Sequence, residues 1–296
     1  MTTTEQPVER VKDLDSETFY RDFVTPGKPV VIENLTADWR ALSWSPDYFR
    51  AIGQSTRLPI KQGDVADGRQ ESVLLSDYVD ELEAHETRVG AGESVARPGY
   101  LHDIPLFRLM PSLIADITPF PVHLLPGFYR SRWHDYTQHF IGPTGSITPL
   151  HFDTLLTNNL FFHLYGRKRF ILVPANQRHL CYPRDWRWTR FDPTAPDFDE
   201  FPLARQATPL VVDLEPGDVL FMPAGTLHHV TNLSIAMSFN IDWHTVDSAR
   251  HGTASVLHGA PWKNAYYNLL SYSGLRFGVP ERLVFRLYKS YLTYIS

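Results

Sequence analysis

The sequence predicts an antiparallel β-barrel or jelly roll carrying flanking helices, and three observations lead there. From about residue 136 onward the chain breaks into the runs QHFIG, NLFFHLY, KRFILVP, PLVVDL, DVLFMP, HHVTN and AMSFNIDW, separated by Gly, Pro or Asn. Aromatic residues make up 13% of the chain and there are 23 prolines, which favours short strands and many turns over a helix bundle. Hydrophobic and charged shares of 43% and 21% are ordinary globular usage and exclude a disordered, collagen-like or coiled-coil chain. A length of 296 residues suits one large domain, or one domain with an appendage.

The elements follow in order. Residues 1–15, MTTTEQPVERVKDLD, read as a flexible leader with no apolar core of a secretory signal. SETFYRDFV (16–24) has helical spacing behind a Ser cap, and KPVVIEN (28–34) reads as a strand entered through Pro29. In SPDYFRAI (45–52), Ser45 is placed as N-cap and Pro46 at the first helical position. SDYVDELEAH (76–85) is a further helix, and GAGESVARPG (90–99) a loop. The strand-rich part is interrupted at about 183–207 by an irregular insert bearing Trp186, Trp188, Phe191, Phe198 and Phe201, a lid or a packed flap. The expected organisation is thus a leader, a main domain over 16–245 and a helical extension over 246–296. In the extension, PERLVFRLYKSYLTYI (280–295) lays Leu283, Phe285, Leu287, Tyr288 and Leu292 along a broad apolar surface. That helix either packs on the barrel or forms a homodimer contact.

Charge and cysteine content limit the partners. A net charge of −5 argues against a nucleic-acid-binding surface, although residues 251–296 hold five basic residues and one acidic residue. Cys181 is the single cysteine, so no internal disulfide and no thiolate-rich metal site can form. No apolar run reaches the roughly 18–20 residues that span a bilayer. A soluble, cytoplasmic protein without membrane association is expected.

Two segments carry chemistry. In GSITPLHFDT, Gly145 is followed by His151 and Asp153; GDVLFMPAGTLHHVTN runs from Gly217 to Asn232. On a strand His-x-Asp puts both side chains on one face, and His228 from a second strand supplies a third ligand. Two histidines and one carboxylate on one side of an ion leave positions open, as in non-haem Fe(II) oxygenases. His228 and His229 point oppositely on a strand, so only one of them can ligate. Strand alternation likewise turns Lys168 away from Arg167 and Arg169.

Gly217, Pro223, Gly225, His228 and Asn232 fill the fixed positions of the second cupin motif, G-x5-P-x-G-x2-H-x3-N. Gly145-x5-His151-x-Asp153 resembles the first, with Asp in place of its second histidine. With FVTPGKPVVIEN near the start, the chain resembles the JmjC/cupin-like hydroxylases over roughly residues 15–245, the group that includes the asparaginyl hydroxylase of hypoxia-inducible factor. The resemblance implies a double-stranded β-helix and a dioxygenase using Fe(II), 2-oxoglutarate and O2 to hydroxylate an unactivated C–H. It selects His151, Asp153 and His228 as metal ligands. It puts Lys168 on the far carboxylate of 2-oxoglutarate with Thr148 and Tyr100, and Asn159 and Asn240 in the pocket wall.

Departures accompany the match. Two extra residues follow Asp153, so Asn158 competes with Asn159 for the pocket position. His163 stands where a glutamine is common, bearing on the substrate side, and Leu227 replaces an aromatic residue. The expected substrate is an amino-acid side chain of a protein or peptide, with a small molecule or natural product as the competitor. A metal-binding cupin without enzymatic activity, and a hydrolytic or isomerising Zn²⁺ or Mn²⁺ enzyme, are the rival classes.

Overall fold

The computed structural model describes residues 6–63, 65 and 69–294. Its strands are β1 (Gln6–Pro7), β2 (Glu9–Lys12), β3 (Val30–Glu33), β4 (Arg57–Lys61), β5 (Gln70–Leu74), β6 (Leu101–Ile104), β7 (Thr137–Gly142), β8 (Ile147–His151), β9 (Asn158–Tyr165), β10 (Lys168–Val173), β11 (Leu210–Leu214), β12 (Val219–Met222), β13 (Leu227–Asn232) and β14 (Ala236–Trp243). One sheet runs β1-β11-β10-β13-β8 and the other β2-β3-β12-β9-β14-β7-β6, with β4 and β5 as a separate hairpin. Strands β7 to β14 supply four antiparallel members to each sheet, the double-stranded arrangement expected from the short-run pattern.

Alternation sorts the side chains. Phe161 of β9, Phe170 and Leu172 of β10, Leu220 and Met222 of β12, and Val230 of β13 fill the space between the sheets. Phe162 and Phe239 point to the other face, stack at 4.8 Å between ring centroids, and pack with Trp39 and Trp243 in the larger core under the helices. Burying these rings removes apolar surface from water and fixes which face of the seven-stranded sheet is outside.

The helices are α1 (Ser16–Phe19), α2 (Pro46–Ile52), α3 (Leu75–Gly90), α4 (Leu106–Leu109), α5 (Val246–Ala254), α6 (Trp262–Phe277) and α7 (Glu281–Tyr294). Ser45 caps α2 through the Tyr48 amide with Pro46 in the first turn, as the sequence indicates. Asp15, not Ser16, caps α1, which continues as a π-helical turn to Val24.

The leader departs from expectation. Residues 1–5 lie outside the described residues, but Gln6–Lys12 forms strands: β1 pairs in parallel with β11 and β2 with β3. A polar segment docks because sheet edges present unpaired backbone groups, and Val8 and Leu14 are buried there. After β14 the chain forms α5, α6 and α7, and Phe285, Tyr288, Tyr291 and Leu292 of α7 belong to the same large core as the sheet's outer face. The aromatic insert is a packed flap: Phe191 and Phe201 are buried against Leu150, Phe152, Leu180 and Leu227.

Candidate metal centre and anion pocket

His151, Asp153 and His228 place one ligand atom each within 4.8 Å of one another, and they are the one such group among the described residues. His151 ends β8 and pairs with His228 of β13, the two rings lying 4.2 Å apart. Asp153 is not on the strand. It follows in the turn after β8, where its carbonyl accepts the Leu156 amide at 2.8 Å. The His-x-Asp pair therefore converges because the strand has ended, not through alternation.

Each histidine is oriented by a backbone carbonyl. His151 Nδ1 donates to Pro149 O at 2.8 Å and His228 Nδ1 to Thr226 O at 3.2 Å. This fixes the tautomer and leaves each Nε2 lone pair for an ion. Nε2 of His228 lies 3.7 Å from Asp153 Oδ1. Burial, followed by the neighbouring His228, pushes His151 well below its ordinary range, so the imidazole is neutral and ready to ligate. Asn159 Nδ2 reaches Asp153 Oδ2 at 3.3 Å and Asp242 Oδ1 at 2.8 Å, bracing the carboxylate from β9. Two imidazoles and a carboxylate whose ligand atoms lie within 4.8 Å of one another fit a divalent ion of the iron type.

Lys168 stands deeper in the barrel. It faces inward with Phe170 while Arg169 faces out, paired with Asp213 at 2.7 Å, as alternation requires. Its ammonium donates to Tyr100 Oη and Ser238 Oγ, both at 3.1 Å, and is ringed by Tyr100, Phe140 and Phe161 at 5.1–5.7 Å. No carboxylate among the described residues pairs with it, and burial lowers its pKa to about 7. A buried cation without an anion is costly, so an anionic ligand entering the pocket would be stabilised by Lys168.

Thr148 and His151 both line this pocket although three residues separate them. A bulge in β8 explains it: Val230 and His228 of β13 face Thr148 and His151, so one extra residue is accommodated and the strand turns. Tyr100, Asn159 and Asn240 line the same pocket, while the Asn158 Oδ1 accepts the Ala224 amide instead. The sequence alternative between Asn158 and Asn159 thus resolves geometrically to Asn159. Asn159 Oδ1, Asn240 Oδ1 and Gln138 Nε2, all on pocket-lining residues, are buried without a hydrogen-bond partner among the described residues.

His163 does not reach the pocket wall; its Nε2 bonds Gly166 O at 2.8 Å beyond Lys168. Its expected bearing on the substrate side is thereby corrected. His229 faces away from His228 and is itself buried, and Leu227 is buried under the flap. Asn232 ties the end of β13 to the preceding turn through Pro143 O, a structural task within the motif.

Several pocket residues were not evident in the sequence. Ser238 lies two residues before Asn240 on β14, so period two could have found it. Asp242, two residues beyond Asn240, is fully enclosed; burial and the Asp153 charge push it well above the usual carboxylate range. The flap contributes Arg187 to the lining, and its Trp188 bridges to His151, their rings 4.8 Å apart. Tyr291 of α7 closes the wall from the far end of the chain, and Asn264 of α6 holds Thr154, next to Asp153, at 2.9 Å. No local pattern announces these last two.

A family model described as a cupin-like domain matches residues 16–249. Lysine-specific demethylase JMJ30 of Arabidopsis thaliana is 29% identical over 245 residues, 80% of this chain and 54% of that protein. The 2-oxoglutarate and iron-dependent oxygenase JMJD4 of Gallus gallus is 26% identical, covering 80% and 59%. Bifunctional peptidase and (3S)-lysyl hydroxylase JMJD7 of Homo sapiens is 26% identical, covering 77% and 81%. The chain spans little more than half the length of the first two.

Proposed function

The chain belongs to the cupin-like domain family, and from that premise we infer that it is an Fe(II)- and 2-oxoglutarate-dependent dioxygenase hydroxylating an unactivated C–H of an amino-acid side chain in a protein or peptide. The observation that carries this reading is the pairing of a three-ligand centre with a buried ammonium, Lys168, that has no carboxylate of its own. A metal-binding cupin without catalysis has no use for that ammonium.

His151, Asp153 and His228 would hold the iron, and Lys168, Tyr100 and Thr148 the far carboxylate of 2-oxoglutarate. Iron held there with 2-oxoglutarate and O2 would supply the oxidising power for hydroxylation, with succinate and CO2 as the coproducts. The protein's share is placement. Asn159 keeps Asp153 turned to the centre, and the carbonyls of Pro149 and Thr226 keep both Nε2 atoms aimed. Trp188 and the packed flap cover one side of His151, and the enclosing Phe140 and Phe161 exclude water from the anion end.

A side chain in a protein or peptide as substrate is supported by relatives named for lysyl hydroxylation and lysine demethylation. Mass spectrometry separates outcomes: a gain of one oxygen marks hydroxylation, and loss of a methyl group marks demethylation. Succinate release dependent on Fe(II) and 2-oxoglutarate, abolished in Asp153→Ala, tests the reaction itself. Full turnover in Asp153→Ala would overturn the ligand assignment. Activity that persists without oxygen would point to a hydrolytic or isomerising metalloenzyme.

Association of two copies through the C-terminal helices is supported by Trp262, Leu269, Phe277, Leu283 and Leu287, all half or more exposed. Sedimentation of a Leu283→Asp, Leu287→Asp double variant, compared with the parent chain, tests it. A cytoplasmic setting is supported by the single buried thiol, Cys181. No helix among the described residues is long and apolar enough to cross a membrane.

A further inference from the structure

Neighbouring residues on a strand point to opposite faces, yet His102 and Asp103 bond each other, Nδ1 to Oδ2 at 2.8 Å. Two backbone features make this so. The register of β6 against β7 slips between Leu101 and Ile104, and Asp103 sits at φ 63°, the left-handed region uncommon for a residue with a Cβ. Lys61 Nζ from β4 lies 3.4 Å from both Asp103 Oδ2 and His102 Nδ1. The carboxylate, itself near the ammonium, holds the ring through Nδ1, and the far nitrogen, Nε2, stands 3.2 Å from Thr148 Oγ1. Backbone strain and a three-residue polar chain thus end on the hydroxyl that faces the anion pocket.

The charges around the ring decide its state. Burial pushes His102 down while Asp103 pulls it up; Lys61 and Arg187 of the flap push it further down. The rings of Tyr100 and Phe140 stand edge-on at 5.0 Å, and His151 of β8 and Lys168 of β10 share the pocket. Asp103 is raised by burial but held well below the usual carboxylate range by His102 and Lys61. With no ligand anion in the pocket, burial and the nearby cations keep the ring neutral despite Asp103: Nδ1–H donates to Asp103, and the Nε2 lone pair accepts the Thr148 proton. That polarity is wrong for a carboxylate, which needs the hydroxyl proton aimed at itself. Turning the hydroxyl without other change would leave Nε2 a buried acceptor with no donor.

We propose that His102 gains a proton from solvent when a dicarboxylate enters the pocket, so that Nε2–H donates to Thr148 Oγ1 and the Thr148 proton passes to the ligand's carboxylate oxygen as a hydrogen bond. His102 is a positioning residue, acting through Thr148, and anion binding is linked to uptake of one proton there. The inference rests on the reading of Thr148 and Lys168 as the carboxylate anchor. Lys168 also gains protons when an anion arrives, since its pKa is about 7, so the share of His102 must be isolated by substitution.

The test is anaerobic calorimetry of 2-oxoglutarate binding to the full Fe(II)-loaded chain at about pH 8, repeated in buffers of different ionisation enthalpy to count protons. His102→Gln offers an amide donor to Thr148 that does not titrate. It should retain binding within about tenfold, take up about one proton fewer, and lose affinity less steeply as pH rises. Thr148→Val, which removes the acceptor of the new hydrogen bond, should lower the proton count in the same way, and it serves if the His102 variant fails to fold. An unchanged proton count in the folded variants overturns the proposal while leaving the anchor intact. Absence of 2-oxoglutarate binding to the unsubstituted chain overturns the anchor and the proposal together.

Discussion

An ammonium enclosed by three aromatic rings and two hydroxyls, as at Lys168, is poorly solvated until an anion reaches it. Replacing it with Met should therefore have opposite effects in the two states. Lys168→Met should weaken 2-oxoglutarate binding about a hundredfold or more by calorimetry, with metal affinity nearly unchanged. The ligand-free variant should melt higher than the parent chain. The sign follows from a pKa lowered from 10.5 to about 7: the unfolded chain keeps its proton where the folded one loses it. The advantage of the variant is full below pH 7 and fades as pH rises towards 10.5. Strand period showed that Lys168 faces opposite to Arg167 and Arg169, but which of the two faces is inward came from the motif resemblance. The approach of Thr148 to the same pocket was not legible from period, since spacing of three on a strand predicts opposite faces and the bulge that corrects it has no local signal. There the motif resemblance carried what periodicity could not.

Whole elements aim these residues. Strand β9 brings Asn159 against both Asp153 and Asp242, so Asn159→Ala should lower metal affinity about 10- to 100-fold without moving the ligands' backbone, as read by competition with a chelating indicator. The turn from β9 into β10 rests on Gly166, at φ +73°, where an added Cβ would stand 1.8 Å from Ile235 O. Gly166→Ala should cost about 3 kcal/mol or more in chemical denaturation, since the contact is with backbone. The short apolar runs located strands β7 and β9 to β14 well, because half-buried strands must alternate. Strands β1 and β2 were hidden: a polar segment that pairs with a sheet edge carries no period of its own, and Val8 and Leu14 alone mark its burial. The flap was recognisable by its aromatic content, but which ring would stack on His151 depended on the bridge from Trp188, a contact that only the fold creates.

Across the molecule, histidines away from the centre set the response to acid. Burial lowers His139, His163 and His244 to about 3, whereas an unfolded chain protonates them near 6.5. The unfolded state therefore binds more protons throughout that interval, and stability falls as pH drops from 6.5 to 3. Each of the three contributes up to about 1.4 kcal/mol per pH unit. Denaturation midpoints measured across this range should decline, and His244→Asn should flatten the decline. The wall contributed by Tyr291 belongs to the same scale. The apolar stripe of α7 left packing on the barrel and a dimer contact both open, and its arrival at the pocket depends on how the C-terminal segment folds back, which no window of sequence encodes. The central claim is that His151, Asp153 and His228 share one ion with the far carboxylate of 2-oxoglutarate seated on Lys168. A crystal structure with Mn(II) and 2-oxoglutarate tests it directly. The account predicts one anomalous peak about 2.0–2.3 Å from His151 Nε2, Asp153 and His228 Nε2, with the distal carboxylate in hydrogen-bond reach of Lys168 Nζ. Metal bound elsewhere, or a ligand whose carboxylate turns away from Lys168, would contradict it.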